Sequence, residues 1–369
     1  MAIPLLDLKR EHQAIRQELQ EQWLSTLATM HLLRGEHVAA FEREIAEYIG
    51  ARYACGVASG TDALLLSVLG LGIGPGDEVI LHANAFVAAL EAVHHTGARP
   101  VLVDVERDGL GPDPDAVARA VTPRTKAVLV VHLYGSPLPL EPIERIVRSH
   151  NLQLIEDGSH AHGAARDGRK VGTFGNAGCF SAGVVKNLGA YGDAGFITTS
   201  DPDLRTRIRL LQTHGQEEKN RHVLYGFNSR LDELQAVVLR VKLRHLDERN
   251  RRRRAIAAYY GDRFTGLNVR VPREHGGEVH VYHQYVIRTP QRDSLRASLK
   301  SAGIETGIHY PVPLHRQPAW LQRYGESPPL RRAELLAQEV LSLPVFPDLS
   351  DAEVETVADA VVSFFRSDR

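Results

Sequence analysis

A chain of 369 residues is too long for one small core, and 43% hydrophobic with 24% charged residues describes an ordinary globular protein, not a disordered or fibrous one. A formal net charge of −1 gives no global field to recruit nucleic acid or an anionic membrane, and no apolar run is long enough to span a bilayer. Only two cysteines occur, Cys55 and Cys179, both in apolar surroundings, and the opening residues reach Asp7, Lys9 and Arg10 too soon for a signal peptide, so a reduced cytoplasmic protein is expected.

In chain order, residues 11–24 read as a helix leading in, and Val38, Phe41, Ile45 and Tyr48 keep helical spacing over Glu36–Ile49, stopped by Gly50. A strand–helix alternation follows. Short apolar runs at Ala54–Ala58, Val79–Leu81, Pro100–Val105, Ala127–His132 and Leu152–Glu156 predict strands. Helical patterns at Thr61–Leu71, Ala85–His95, Pro114–Ala120 and Leu140–His150 separate them. That order predicts βαβ units and an α/β fold with a mostly parallel sheet, whose ligands bind beyond the carboxyl ends of its strands. Further strands are expected at Cys179–Ala182, Gly195–Thr199 and Val279–Arg288. Helices are expected at Leu204–Gln212, Arg230–Arg254, Arg292–Ala302, Pro328–Leu341 and Ala352–Phe365. The change of pattern near residue 250 predicts a large domain over 1–250, with its helical lead-in, and a smaller C-terminal α/β domain over 251–369.

Five stretches carry chemistry. Lys186 lies among Gly183, Gly189, Gly192 and Gly195 in a chain whose basic side chains are mostly arginine. An apolar setting strips hydration from the ammonium, lowers its pKa and frees the amine for Schiff-base chemistry with a carbonyl or with pyridoxal phosphate. Ser59-Gly60-Thr61 joins a strand to a helix, where free N–H groups and the helix dipole suit a phosphate. Asp157 ends an apolar strand, at the place where a carboxylate can keep a pyridinium nitrogen protonated. Phe86 sits at a loop–helix junction and can stack on a ring. Gly226-Phe227-Asn228-Ser229-Arg230 precedes the long helix with polar groups able to reach a phosphate. Taken singly, these are a surface lysine, a helix cap, a strand-end turn, a core aromatic and a polar loop. Their joint order is what carries the argument.

That order resembles the DegT/StrS-type family of pyridoxal-phosphate-dependent sugar aminotransferases, over nearly the whole chain. The similarity runs through Ser59–Leu64, Gly72–Val79, Glu156-Asp157 with Ala161–Ala164, Phe180-Ser181, Lys186–Gly189, Gly192-Asp193, Asn228–Ala236, and His309–Pro311 with Leu314-His315. It implies a fold type I (aspartate-aminotransferase-like) homodimer with two shared active sites, and pyridoxal 5′-phosphate cycling with pyridoxamine 5′-phosphate. Lys186 would carry the cofactor and move the proton, Asp157 would bind the pyridine nitrogen, and Phe86 would stack on the ring. Gly60, Thr61 and Ser181 would hold the phosphate, Asn228 would reach across from the second subunit, and His309 and Tyr310 would meet a nucleotide-sugar substrate. His160 stands where the family usually has glutamine, and its imidazole can donate the same hydrogen bond to the phenolic oxygen. Ser181-Ala182-Gly183-Val184-Val185-Lys186 replaces the family's aromatic-rich lead, which would open space beside the cofactor.

The arginine run 251–254 reads as a solvated helix face and no nucleic-acid site, and no histidine has metal-ligand spacing, so no metal is expected. The expected reaction moves an amino group from an amino acid, glutamate or glutamine, to a nucleotide-linked keto-6-deoxy sugar, C3 favoured over C4. Alternatives are a keto-inositol aminotransferase, a sugar dehydratase on the same fold, or a sensor. The dehydratase relatives replace the lysine with histidine, and Lys186 argues against that reading.

Overall fold

The computed structural model describes residues 2–107 and 109–367. Among them, seven strands form one sheet: β1 (Tyr53–Val57), β2 (Glu78–His82), β3 (Arg99–Val103), β4 (Thr125–Val131), β5 (Gln153–Asp157), β6 (Ala177–Ser181) and β7 (Gly195–Thr199). Their spatial order is β1-β7-β6-β5-β4-β2-β3. All neighbours are parallel except β7, which runs antiparallel to both β1 and β6. Helices cover both faces, so the inner strands are apolar without alternation; every residue of β2 and of β7 is buried. The one reversed strand leaves β1, β2, β4, β5 and β6 pointing the same way. Their carboxyl ends therefore share one edge, and each loop that leaves that edge delivers a side chain to a common crevice.

Helix boundaries follow local chemistry. The Asp7 carboxylate caps α1 (Leu8–Thr29) by accepting from the Lys9 amide at 2.9 Å. Gly50, at φ 88°, closes α2 (Glu36–Ile49) in the left-handed conformation that glycine adopts without a Cβ clash. Ser59 caps α3 (Gly60–Gly70), its hydroxyl accepting from the Asp62 amide. The following helices are α4 (Val87–His95), α5 (Pro114–Ala120), α6 (Glu141–Ser149) and α7 (Pro202–Leu211). The predicted helix over 230–254 is α8 (Glu233–Arg263), which continues through residue 250 until Phe264.

Beyond it, Ile256, Tyr260 and Phe264 pack with Tyr285, Leu299 and Val357 in a second core that also takes in Ile3. The Ile3 carbonyl accepts from the Glu305 amide at 2.9 Å, which ties the N-terminus to this C-terminal core. No helix among the described residues is long and apolar enough to cross a membrane.

Two predicted elements differ. Val279–Arg288 is not one strand: Glu278–Val279 pairs with Ala165–Arg166, and β8 (Tyr285–Arg288) pairs with β9 (Val340–Leu343). Between them Tyr282 takes φ 41°, and the amides of Val281 and Gln284 donate to the carbonyls of Gly135 and Tyr134. Those partners lie outside any strand, so the alternation in sequence could not continue as a ladder. The helix expected to run to Leu341 ends at Glu339, and the chain turns directly into β9. The remaining helices are α9 (Arg292–Ser301), α10 (Pro318–Tyr324), α11 (Arg331–Glu339) and α12 (Asp351–Ser367).

Candidate active site

At the shared edge, β1 leads through Ser59 into α3, and the start of that helix presses against the end of β6. A Cβ on Gly60 would lie 2.4 Å from Ser181 Cβ and 2.7 Å from Ser181 Cα, so only glycine allows the approach. By helix geometry the Gly60 and Thr61 amides have no intrahelical acceptor, which leaves two donors at the positive end of the dipole. Ser181 Oγ accepts from the Gly183 amide at 3.3 Å, and its own proton is left to donate. The turn is locked from a third segment: Ser229 Oγ accepts from the Ala58 amide and donates to Asp62.

Asp157 closes β5 at 5% exposure, and its carboxylate accepts from the Ser159 amide at 2.9 Å. Burial raises its pKa, against the pull of Ser159 and the nearby charge of Lys186. Lys186 hangs from a turn closed by its own amide donating to the Gly183 carbonyl. Burial pushes its pKa down to about 8, and Asp157 holds it from falling further. A lysine so placed has a substantial free-amine fraction near neutrality, as a nucleophile and proton carrier needs.

His160 is buried beside them, and the Tyr134 amide donates to its Nδ1 at 3.3 Å. That bond requires a bare Nδ1, so the ring proton sits on Nε2. Burial and then the Lys186 charge keep the imidazole well below the usual histidine range, hence neutral. Glutamine at this position would offer an amide N–H; His160 offers one fixed N–H by a different route. His283 lies against it with ring centroids 4.4 Å apart. Asn187 donates to Asn250 and to the Val281 carbonyl, so its Oδ1 accepts from His283 Nδ1 at 3.0 Å.

Phe86 caps α4 and is 52% exposed, with its ring 5.7 Å from that of Tyr310. Such exposure of a large aromatic at a site edge suits stacking on a planar ligand. His309 is hydrogen-bonded to Ser342 at 2.7 Å, and its carbonyl accepts from the Tyr134 hydroxyl. Burial and the Lys186 charge bring His309 to about 4. Gly60 with Thr61 and Ser181, Lys186 with Asp157, His160 and His309, and Tyr310 with Asp157 and Phe86 thus lie as neighbours at one edge of the sheet. Asn228 stands apart: it is exposed, pairs through its backbone with Thr213, and makes no side-chain hydrogen bond among the described residues.

A model of the DegT/DnrJ/EryC1/StrS aminotransferase family matches residues 13–362. The chain belongs to that family. It is 43% identical over 363 residues to a dTDP-3-amino-3,4,6-trideoxy-alpha-D-glucose transaminase of Streptomyces venezuelae, covering 97% of this chain and 95% of the relative. It is 40% identical over 360 residues to a UDP-N-acetyl-3-dehydro-alpha-D-glucosamine 3-aminotransferase of Acidithiobacillus ferrooxidans, covering 98% and 97%. The solved structure of S. venezuelae DesV in complex with a ketimine intermediate superposes with a TM-score of 0.95 at 43% identity, over 98% of each chain.

Three residues next to these groups carried no assigned role in sequence. Tyr134, Asn187 and His283 join them through contacts with residues 26 to 175 positions away. A signal existed for Asn187, inside the Lys186–Gly189 stretch, and a faint one for Tyr134, as the tyrosine that follows a strand end in His132-Leu133-Tyr134-Gly135.

Proposed function

We propose that this member of the family is a pyridoxal-phosphate-dependent aminotransferase acting at C3 of a nucleotide-linked keto sugar, with glutamate or glutamine as amino donor. The observation that carries the reading is the convergence of a low-pKa lysine, a buried carboxylate and a glycine-gated helix start on one sheet edge. The crevice fits the cofactor. Gly60 lets the start of α3 close on Ser181, which sets two free amides beside that hydroxyl, Asp157 can face a pyridinium nitrogen, and Phe86 offers an exposed ring.

When bound, pyridoxal phosphate supplies an electron sink for the carbon that loses its proton. The chain's own residues do the rest. The amides of Gly60 and Thr61 and the hydroxyl of Ser181 would hold the phosphate. Asp157 would keep positive charge on the ring nitrogen, and the Nε2–H of His160 would be available to the phenolic oxygen. Lys186 Nζ would be the attachment point and the group that takes and returns the proton. His309 and Tyr310 border the space for the sugar. The relatives' names share amination at C3 but differ in nucleotide, which favours a nucleotide 3-keto sugar over a keto-inositol.

We read the enzyme as a homodimer. Val223, Tyr225 and Phe227 stand exposed on the segment that ends in Asn228, and Val184 and Val185 stand exposed beside Lys186. A second chain would cover both groups and bring Asn228 to a phosphate site other than its own. The two buried free cysteines support a cytoplasmic setting, and a boundary near residue 250 remains our reading of the domains.

The test is direct. Purified protein should be yellow, and borohydride should bleach the visible band and leave the cofactor mass on the peptide carrying Lys186. The pyridoxamine form, offered a panel of nucleotide keto sugars, should regain the band with a 3-keto sugar. Turnover by Lys186→Ala would sink the assignment.

A further inference from the structure

A cavity of about 860 Å³ lies away from the transamination crevice, between the loop after β3, the end of α8 with residues 264–275, and β8. That volume falls in the range of small-molecule sites, roughly 300–1,000 Å³. Gly60, Phe86, Asp157 and Lys186 are not among its lining residues, and only Tyr134 belongs to both. Its chemistry is one-sided.

Arg107, Arg270 and Arg273 line it and are exposed, and none of the three forms an ion pair among the described residues. No Asp or Glu among the described residues lines it. Among the described carboxylates on the segments that flank Arg270 and Arg273, Glu274 is engaged by Arg254, Glu278 by Arg166 and Glu339 by Arg288. Three arginines around one concave surface, with no ion-pair partner among the described residues, make a field that favours anions.

Deeper in, His280 is buried, and its Nδ1 accepts from the Tyr282 amide at 2.9 Å, so the ring proton sits on Nε2. Gln284 also lines the cavity and is half-buried. Leu110, Phe264 and Val286 give the wall apolar surface, and Arg288, paired with Glu339, lines it too.

We infer that this cavity is a second binding site, for a small organic anion with a phosphate or carboxylate head and an apolar body. The head meets Arg107, Arg270 and Arg273, the body lies against Phe264 and Val286, and Gln284 and His280 offer polar contacts at the floor. The site is one side chain from the crevice. Tyr134 lines the cavity, and its hydroxyl donates to the carbonyl of His309 on the other side.

The test uses the cofactor-loaded protein, so that the cofactor's own phosphate site is filled. Phenyl phosphate and phenylacetate are titrated separately by calorimetry and tell a phosphate head from a carboxylate one. At least one should bind with one-to-one stoichiometry. Arg270→Glu with Arg273→Glu should weaken that binding by about tenfold or more, since two attractions become repulsions. Arg270→Lys with Arg273→Lys should keep most of it, and the KM for the sugar substrate should be unchanged in both. The inference is overturned if neither probe binds by about 10 mM, a concentration that would nearly saturate a site with a dissociation constant of about 1 mM. It is equally overturned if the charge-reversed protein binds as the unaltered one does, or if its sugar KM rises in step, which would give the arginines to the crevice.

Discussion

Replacing Gly60 by alanine would set a methyl carbon 2.4 Å from Ser181 Cβ and 2.7 Å from Ser181 Cα. The second of these is backbone and belongs to a strand of the central sheet, so it cannot swing aside as a flexible side chain would. The start of α3 must move away instead. Two costs follow. Overpacking strains the apoprotein by about 1–3 kcal/mol, offset by up to about 1 kcal/mol because alanine favours the helix more than glycine does. The displaced amides of residues 60 and 61 then miss the phosphate, and losing one hydrogen bond to a charged group costs about 1.5–3 kcal/mol. Cofactor affinity should fall roughly 10- to 100-fold, while apoprotein stability falls by about 0–3 kcal/mol. Fluorescence titration of the apoprotein with pyridoxal phosphate gives the first quantity and urea unfolding without cofactor gives the second. An affinity within about twofold of the unaltered protein, with the expected small stability loss, would show that the tight contact packs the fold without shaping the phosphate site.

Further outcomes follow from the same geometry. Asp157→Asn should keep cofactor but lose most transamination, since an amide cannot hold the ring charge as a carboxylate does; near-normal single-turnover rates would remove Asp157 from the chemistry. Covalent capture of pyridoxal phosphate by the apoprotein should rise with pH and level off above about 8, because the free amine of Lys186 reacts. The same shift makes the buried ammonium a burden on the folded apoprotein below that pH, relieved as pH rises toward 10.5; a capture midpoint near 10.5 would mean the lysine is not desolvated. Lys186→Ala and Asn228→Ala proteins, each weak alone, should regain part of the activity when allowed to exchange subunits, and a fully active monomer by light scattering would end the cross-subunit reading. Glu156, fully buried, accepts from the amides of Gly172, Phe174 and Gly175 and from His132, so Glu156→Gln turns an acceptor into a donor facing donors. It should cost about 2–4 kcal/mol of stability in urea unfolding, and a change under about 0.5 kcal/mol would mean the cluster relaxes around the amide.

Much of the molecule was legible along the chain because the signals are local. Helix ends are written in Asp7, Ser59 and Gly50, each acting within a few residues of itself. The parallel sheet is written in apolar runs spaced by helices, and strand direction then brings Gly60, Asp157 and Ser181 to one edge without further information. Lys186 was legible because glycines and small residues surround it in sequence as well as in space.

What the chain alone could not decide is set by partners far along it. The break at residues 280–284 exists because the Tyr134–Gly135 turn, with φ 61° and 99°, supplies the acceptors that a neighbouring strand would otherwise provide. The position of the proton on His160 is set by the amide of Tyr134, and that on His283 by Asn187. Neither appears in any local pattern. Ile3 joins a core built from residues beyond 250 because Gly303 and Glu305 pair with its backbone. Sequence fixes which groups exist and which sheet edge they leave from. Protonation, exposure and neighbours belong to the packed structure, because desolvation and hydrogen bonding depend on distances that only the closed chain sets.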